Sequence, residues 1–220
     1  MVLVLVNVAS NEWVPKGGYV PLAIFASAVL VAFAIRVDRI EPEDLGLGRR
    51  HVASGLAWGA VVAAVLVVVM AVGVALPATR GLFRDSRVEA LSGWGVLFAA
   101  FVRVPLGTVL LEEVAFRGVL PAMLAVRTSR RAAVVVSAVL FGFWHVLPSL
   151  GVGRVNPVAA DTIGGLPTGV LVGASVLVTA GVGLWFSFLR ERSGSLLAPM
   201  FNHWASNALG YLFAFAVLHG

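Results

Sequence analysis

The feature that most restricts what this chain can fold into is a succession of apolar runs, separated by short clusters of charge. A run of about 20 such residues crosses the hydrocarbon core of a bilayer as one helix. Six regions qualify: Tyr19 to Val37, Val52 to Leu76, Leu91 to about Leu111, Ala132 to Leu150, about Thr168 to Leu189, and Leu196 to Leu218. The stretch from Leu91 to Val126 is apolar almost throughout and too long for one ordinary span. An interruption is therefore expected near Glu112 to Pro121, leaving a short helix or re-entrant piece from Val114 to Val126. Irregular backbone at that depth is tolerated only where it is buried in protein or lines a wet cavity. The fold class that follows is all-α: a polytopic membrane helix bundle of about six transmembrane helices, plus a short re-entrant or broken helix near residues 114–126.

Composition agrees. Of the 220 residues, 60% are hydrophobic and 12% charged, against roughly 25% charged in an ordinary soluble domain. A soluble protein of this size could not cover so much apolar surface. The excess of 16 Lys and Arg over 11 Asp and Glu forms no continuous basic face and no stacking platform, so nucleic acid is not an expected partner. With no cysteine, disulfides, thiolate zinc sites and a cysteine nucleophile are excluded.

The first 18 residues have neither a positive n-region nor a small-residue cleavage site and read as a short interfacial or disordered lead-in. Residues 19–90 read as two transmembrane helices with their loops, and residues 91–220 as the core that holds the chemistry. Three loops share one side and carry Arg36, Arg39, Arg49, Arg50, Arg127, Arg130, Arg131, Arg190 and Arg192; the opposite side holds Lys16, Arg80, Arg84, Arg87 and Arg154. The positive-inside rule places the richer side in the cytoplasm, with both termini outside, in an integral protein of the cell membrane. The Gly- and Pro-rich loop Gly151 to Pro167 is long for a simple connection; a solvated connector is the plainer expectation and a gate over the cavity the sharper one.

Inside the apolar runs the titratable residues are few: Arg103, Glu112, Glu113, Arg117, His145 and His203. Each charge at the bilayer centre costs about 2.5–3.5 kcal/mol on insertion scales, so two adjacent carboxylates there need a partner or a use. Glu113 and Arg117 stand at i,i+4 and can pair on one helix face, which leaves Glu112 free to face a cavity. His203 and Asn207 have the same spacing on the last span, whereas Asn202 points about 100° away from His203. Taken singly, the Glu–Glu–Arg group could be a structural ion pair, His145 a satisfied core histidine, and His203 with Asn207 an interhelical clasp. Together, two Glu, two His and an Asn on three apolar segments can meet only in the bundle interior. Such a cluster contains a base for activating water and donors for a developing oxyanion. It also contains a two-His, one-carboxylate set (Glu112, His145, His203) able to hold a catalytic Zn²⁺ with one position open. HExxH is absent.

At these residues the chain resembles the CPBP family of intramembrane proteases, which includes the type II CAAX prenyl endopeptidases and bacteriocin-processing or immunity relatives. Three family motifs follow in order: EExxxR as Glu112-Glu113-Val-Ala-Phe-Arg117, FxxxH as Phe141-Gly-Phe-Trp-His145, and Hxxx(N or D) as His203-Trp-Ala-Ser-Asn207. The resemblance covers about Leu91 to Leu218. It implies that Glu112 activates the attacking water with help from His145, that Glu113 and Arg117 hold the first carboxylate, and that His203 and Asn207 stabilise the oxyanion. The family is described both as metalloproteases and as using a glutamate-activated water without metal; the metal-free account is slightly favoured, with Zn²⁺ on Glu112, His145 and His203 the alternative. The partners implied are a lipid bilayer and a peptide or membrane-protein segment as substrate. Two other classes compete: a proton-coupled transporter, since Glu and His chains also relay protons, and a non-catalytic immunity or scaffold protein that keeps the site.

Overall fold

The computed structural model describes residues 2–9, 13–15, 17–150 and 165–220. Seven main helices follow in order among these residues: α1 (Val2–Val8), α2 (Tyr19–Arg36), α3 (Val52–Ala75), α4 (Gly93–Ala125), α5 (Arg130–Trp144), α6 (Thr168–Ser193) and α7 (Leu197–His219). Short helical turns link α3 to α4, and one turn, Val146–Ser149, follows α5. The expected gate between Gly151 and Pro167 falls, for residues 151–164, outside the described residues, as do Lys16 and Arg154.

Local chemistry sets several helix ends. The Ser92 and Ser129 hydroxyls accept from the backbone N–H of Gly95 and Ala132, satisfying otherwise unpaired first-turn donors of α4 and α5. Gly194 ends α6 at φ 72°, a left-handed cap that glycine adopts without strain.

The irregularity expected in the long apolar stretch takes the form of π turns inside a continuous helix. From Gly93 to Ala125 the chain stays helical for 33 residues, but Ala99–Val109 and Val114–Val119 are π-helical. Leu110 N–H reaches back to Pro105 O and Leu120 N–H to Ala115 O, five residues instead of four. Pro105, which lacks an N–H, lies within the first of these segments. Such wide turns recur at functional sites because they re-aim side chains without ending the helix.

Among the described residues, four helical segments are long and apolar enough to cross a membrane: Tyr19–Arg36, Arg49–Ala75, Gly93–Ala125 and Thr168–Ser193. Of the about six spans expected, the two outside this group are those bearing the motif histidines. Helix α5 has only 15 residues, and α7, with 23, is diluted by Asn202, His203 and Asn207. The protein is an all-α membrane helix bundle. Within the first 18 residues, expected as a short interfacial or disordered lead-in, Val2–Val8 form α1. Asn7 Nδ2 donates to the Trp144 carbonyl at 3.0 Å, and Leu3 and Val6 lie against the apolar clusters around Phe116 and Leu111.

Small residues bring the helices close, as packing in lipid requires. A Cβ at Gly59 would stand 2.7 Å from Phe201 Cβ, and one at Gly55 2.7 Å from Ser195 Cβ, so α3 meets α7 through bare backbone. Gly142 of α5 faces the Val176 carbonyl of α6 in the same way. The loop between α2 and α3 folds inward, burying Leu45 completely beside Val114, Val119 and Leu196. Parts of all three basic loops meet at one end of the bundle. There, Arg39 and Arg50, Arg130, and Arg190 line a single cavity of about 650 Å³, with Arg117 also on its wall.

Candidate active site

Three helices supply the buried polar centre. The short α-helical stretch Leu110–Glu113, set between the two π segments of α4, carries Glu112 and Glu113. Both are buried, at 5% and 0% exposure, as are Arg117 at 3% and His203 at 6%. Arg117 Nη1 donates to Glu113 Oε1 at 3.1 Å, the i,i+4 pair expected. The same oxygen faces His203 Nδ1 at 2.7 Å. A carboxylate already paired with a guanidinium is an acceptor, so the imidazole hydrogen belongs on Nδ1. His203 Nε2 then looks toward Glu112 Oε2 at 3.8 Å, beyond hydrogen-bond reach.

The other oxygen of Glu112, Oε1, accepts from Trp144 Nε1 at 3.0 Å. One side of Glu112 is thus tied to α5, while Oε2 is buried without a hydrogen-bond partner among the described residues.

Aromatic rings wall the cluster. The Arg117 guanidinium lies 3.9 Å from the Phe141 ring centroid and 4.9 Å from that of Phe186, a sandwich that favours a desolvated cation. Phe186 also contacts His203, at 5.2 Å between centroids. Phe141 stands between the two motif histidines, 4.6 Å from His145 and 6.4 Å from His203. Ser137 Oγ donates to Phe116 O at 2.6 Å and locks α5 onto the second π segment of α4.

The six residues singled out by the sequence are distributed unevenly. Glu112, Glu113, Arg117 and His203 form one cluster. His145, half-buried at the end of α5, turns Nδ1 to the Phe141 carbonyl at 2.8 Å. Because that carbonyl only accepts, the neutral ring keeps Nε2 as an acceptor. The hydrogen bond from α5 to Glu112 comes from Trp144, the residue before His145. Asn207 is half-buried and has no hydrogen-bond partner among the described residues; Asn202 is the buried amide of α7, accepting from Trp185 Nε1 at 2.6 Å. Among the described residues no three His, Asp or Glu side chains stand together as a metal-binding group. In the set Glu112, His145 and His203, each histidine engages Nδ1, His203 with Glu113 and His145 with the Phe141 carbonyl, so Nε2 is the nitrogen each would offer to a Zn²⁺ ion.

Sequence reasoning did not find Trp144 as the donor to Glu112, nor Phe186 beneath Arg117. Trp144 sits inside the FGFWH motif, but nothing in a sequence says where its N–H points; Phe186 has no local signal at all.

Residues 93–209, more than half of the chain, match the family described as Rce1-like, type II CAAX prenyl endopeptidase Rce1-like. No curated protein and no solved structure matches the chain.

Proposed function

As the chain belongs to the type II CAAX prenyl endopeptidase Rce1-like family of intramembrane proteases, we propose that it hydrolyses a peptide bond of a membrane-associated or C-terminal peptide substrate with water activated at Glu112. The observation that supports this reading best is the unpartnered Glu112 Oε2, buried and facing His203 Nε2 across 3.8 Å. That gap is too wide for a direct hydrogen bond and suits an inserted oxygen.

In the proposed cycle Oε2 takes a proton from water as its oxygen attacks the scissile carbonyl carbon. The oxyanion that forms is stabilised by the His203 imidazolium Nε2–H, with Asn207 as the second donor on the same helix. Glu113, held by Arg117, accepts from His203 Nδ1–H and so orients and supports the imidazolium, as a carboxylate does behind a catalytic histidine. The carbon–nitrogen bond then breaks as the proton on Glu112 passes to the departing amine, leaving a free carboxylate and a free amine. His145, with Nε2 as an acceptor, assists in orienting the water. Trp144 holds Glu112 Oε1 still, so that a single oxygen acts as base. Glu112, His145 and His203 are the residues that would hold a Zn²⁺ ion, which would supply Lewis-acid activation of the water, and no step of this cycle is assigned to it.

The test is cleavage of a peptide library by the full chain in proteoliposomes. Glu112→Ala and His145→Ala should each abolish cleavage while the protein stays folded. Undiminished cleavage by either variant removes that residue's role. Glu112-dependent proton flux without any proteolysis would instead establish transport. Dialysis against a chelator should leave the rate unchanged; a loss restored by Zn²⁺ would overturn the metal-free step.

A further inference from the structure

The loop between α2 and α3 forms part of the wall around Arg117, although it lies outside the residues of the family match. It turns over Glu41–Leu47 through backbone bonds from Leu45 N–H to Glu41 O and from Leu47 N–H to Pro42 O. Gly46 takes φ +80°, a conformation suited to glycine. Leu45 is fully buried against Val114 and Val119, the two ends of the second π segment of α4. Its carbonyl oxygen would lie 3.2 Å from a Cβ on Gly118, the residue after Arg117.

What pins this loop is Arg190, near the C-terminal end of α6. Its Nη2 donates to the carbonyl oxygens of Glu43 at 3.1 Å and Asp44 at 2.9 Å. The guanidinium also covers Gly46 so closely that a Cβ there would collide with Nε. Just beyond α6, Leu196 N–H donates to Gly46 O at 3.0 Å. Arg190 is 8% exposed and, with Glu41, Glu43, Asp44 and Glu191 lining the same cavity, makes no ion pair among the described residues. A guanidinium that gives its donors to main-chain oxygens while carboxylates are near is acting as a clamp on backbone shape.

We propose that Arg190 is a positioning residue for the peptidase site: by clamping the 41–47 loop it presses Leu45 onto the π turn Val114–Val119 and so fixes Arg117 beneath Glu113. This rests on the peptidase reading, and two independent readouts keep the two apart. The full chain, labelled with ¹⁵N-histidine in lipid nanodiscs, is compared with Arg190→Ala, Arg190→Lys and Gly46→Ala. Arg190→Ala should lower kcat about tenfold to a hundredfold, as a slightly misplaced reacting group does, with KM changed less than about twofold. It should also shift the His203 Nδ1–H resonance, which reports the bond to Glu113. Arg190→Lys should restore part of both signals, because an ammonium still donates to carbonyl oxygens. Gly46→Ala, which pushes on the clamp without removing a charge, should move the same resonance.

A folded Arg190→Ala protein with unchanged kcat and unchanged His203 resonance would overturn the proposal. If Arg190→Ala fails to fold, Arg190→Lys and Gly46→Ala decide by the same two signals. If the wild-type chain cleaves no peptide, the peptidase reading fails, and the His203 resonance alone judges the clamp.

Discussion

Helices α3 and α4 both look, by composition, like bilayer-crossing segments, yet they solve opposite problems. In the most apolar stretch of α3 only 6% of residues are buried inside the protein, against 39% in α4. The exposed valines of α3, among them Val61, Val65, Val68, Val69 and Val72, meet lipid and need only be apolar. Helix α4 departs from α-helical spacing twice and carries Glu112, Glu113 and Arg117 on its interior side. Apolarity alone places a helix in the membrane. What sets α4 apart is the charge it buries and the π turns that aim that charge inward.

The contrast can be broken or sharpened by substitution, beginning where the effect should be greatest. Glu112→Gln should reduce the cleavage rate about 10²- to 10⁴-fold, the usual worth of a positioned general base, measured as kcat in nanodiscs. A loss of less than about tenfold would mean that another group takes the proton. Next comes the ion pair. Glu113→Gln or Arg117→Met alone should destabilise the fold by about 3–5 kcal/mol, because the surviving partner is left buried and unpaired, whereas the double variant should recover much of that loss. Unfolding in mixed micelles checks this; additive losses would refute the pairing.

Smaller effects follow. Trp144→Phe keeps the ring but removes the donor to Glu112 Oε1, which should cost about 1–3 kcal/mol in transition-state stabilisation, read as a lower kcat with little change in KM. In α3 the sensitive stripe is the one facing α7. Gly59→Ala puts a methyl 2.7 Å from Phe201 Cβ and should cost about 1–3 kcal/mol by overpacking. Val68→Ala, on the lipid side, should change stability by no more than about 0.5 kcal/mol and activity not at all. Comparable sensitivity at Val68 and Gly59 would erase the distinction between the faces of α3.

Much of this was legible in the amino-acid order. The apolar runs foretell a helical bundle, the i,i+4 spacing of Glu113 and Arg117 foretells their ion pair, and the three motifs foretell the family. The convergence of Glu112, Glu113 and His203 also follows from the cost of leaving charge in lipid. Legibility fails where an outcome depends on direction in space. The π turns of α4 left only weak traces, such as Pro105. That Trp144 Nε1 points to Glu112, and that Asn202 rather than Asn207 is the buried amide of α7, depend on side-chain directions that helical periodicity is too coarse to fix. Arg190, at the end of an apolar run, reads as an ordinary loop charge until the carbonyls beneath it are seen.

The seating of Leu45 has a practical bearing on how far the chain can be trimmed. The homologous stretch starts at residue 93, but a protein trimmed to it would lack α2, α3 and the residue that fills the hollow between α4 and the start of α7. The packing that surrounds the polar cluster therefore extends beyond the matched stretch, and a protein trimmed to that stretch should be less stable than the full chain.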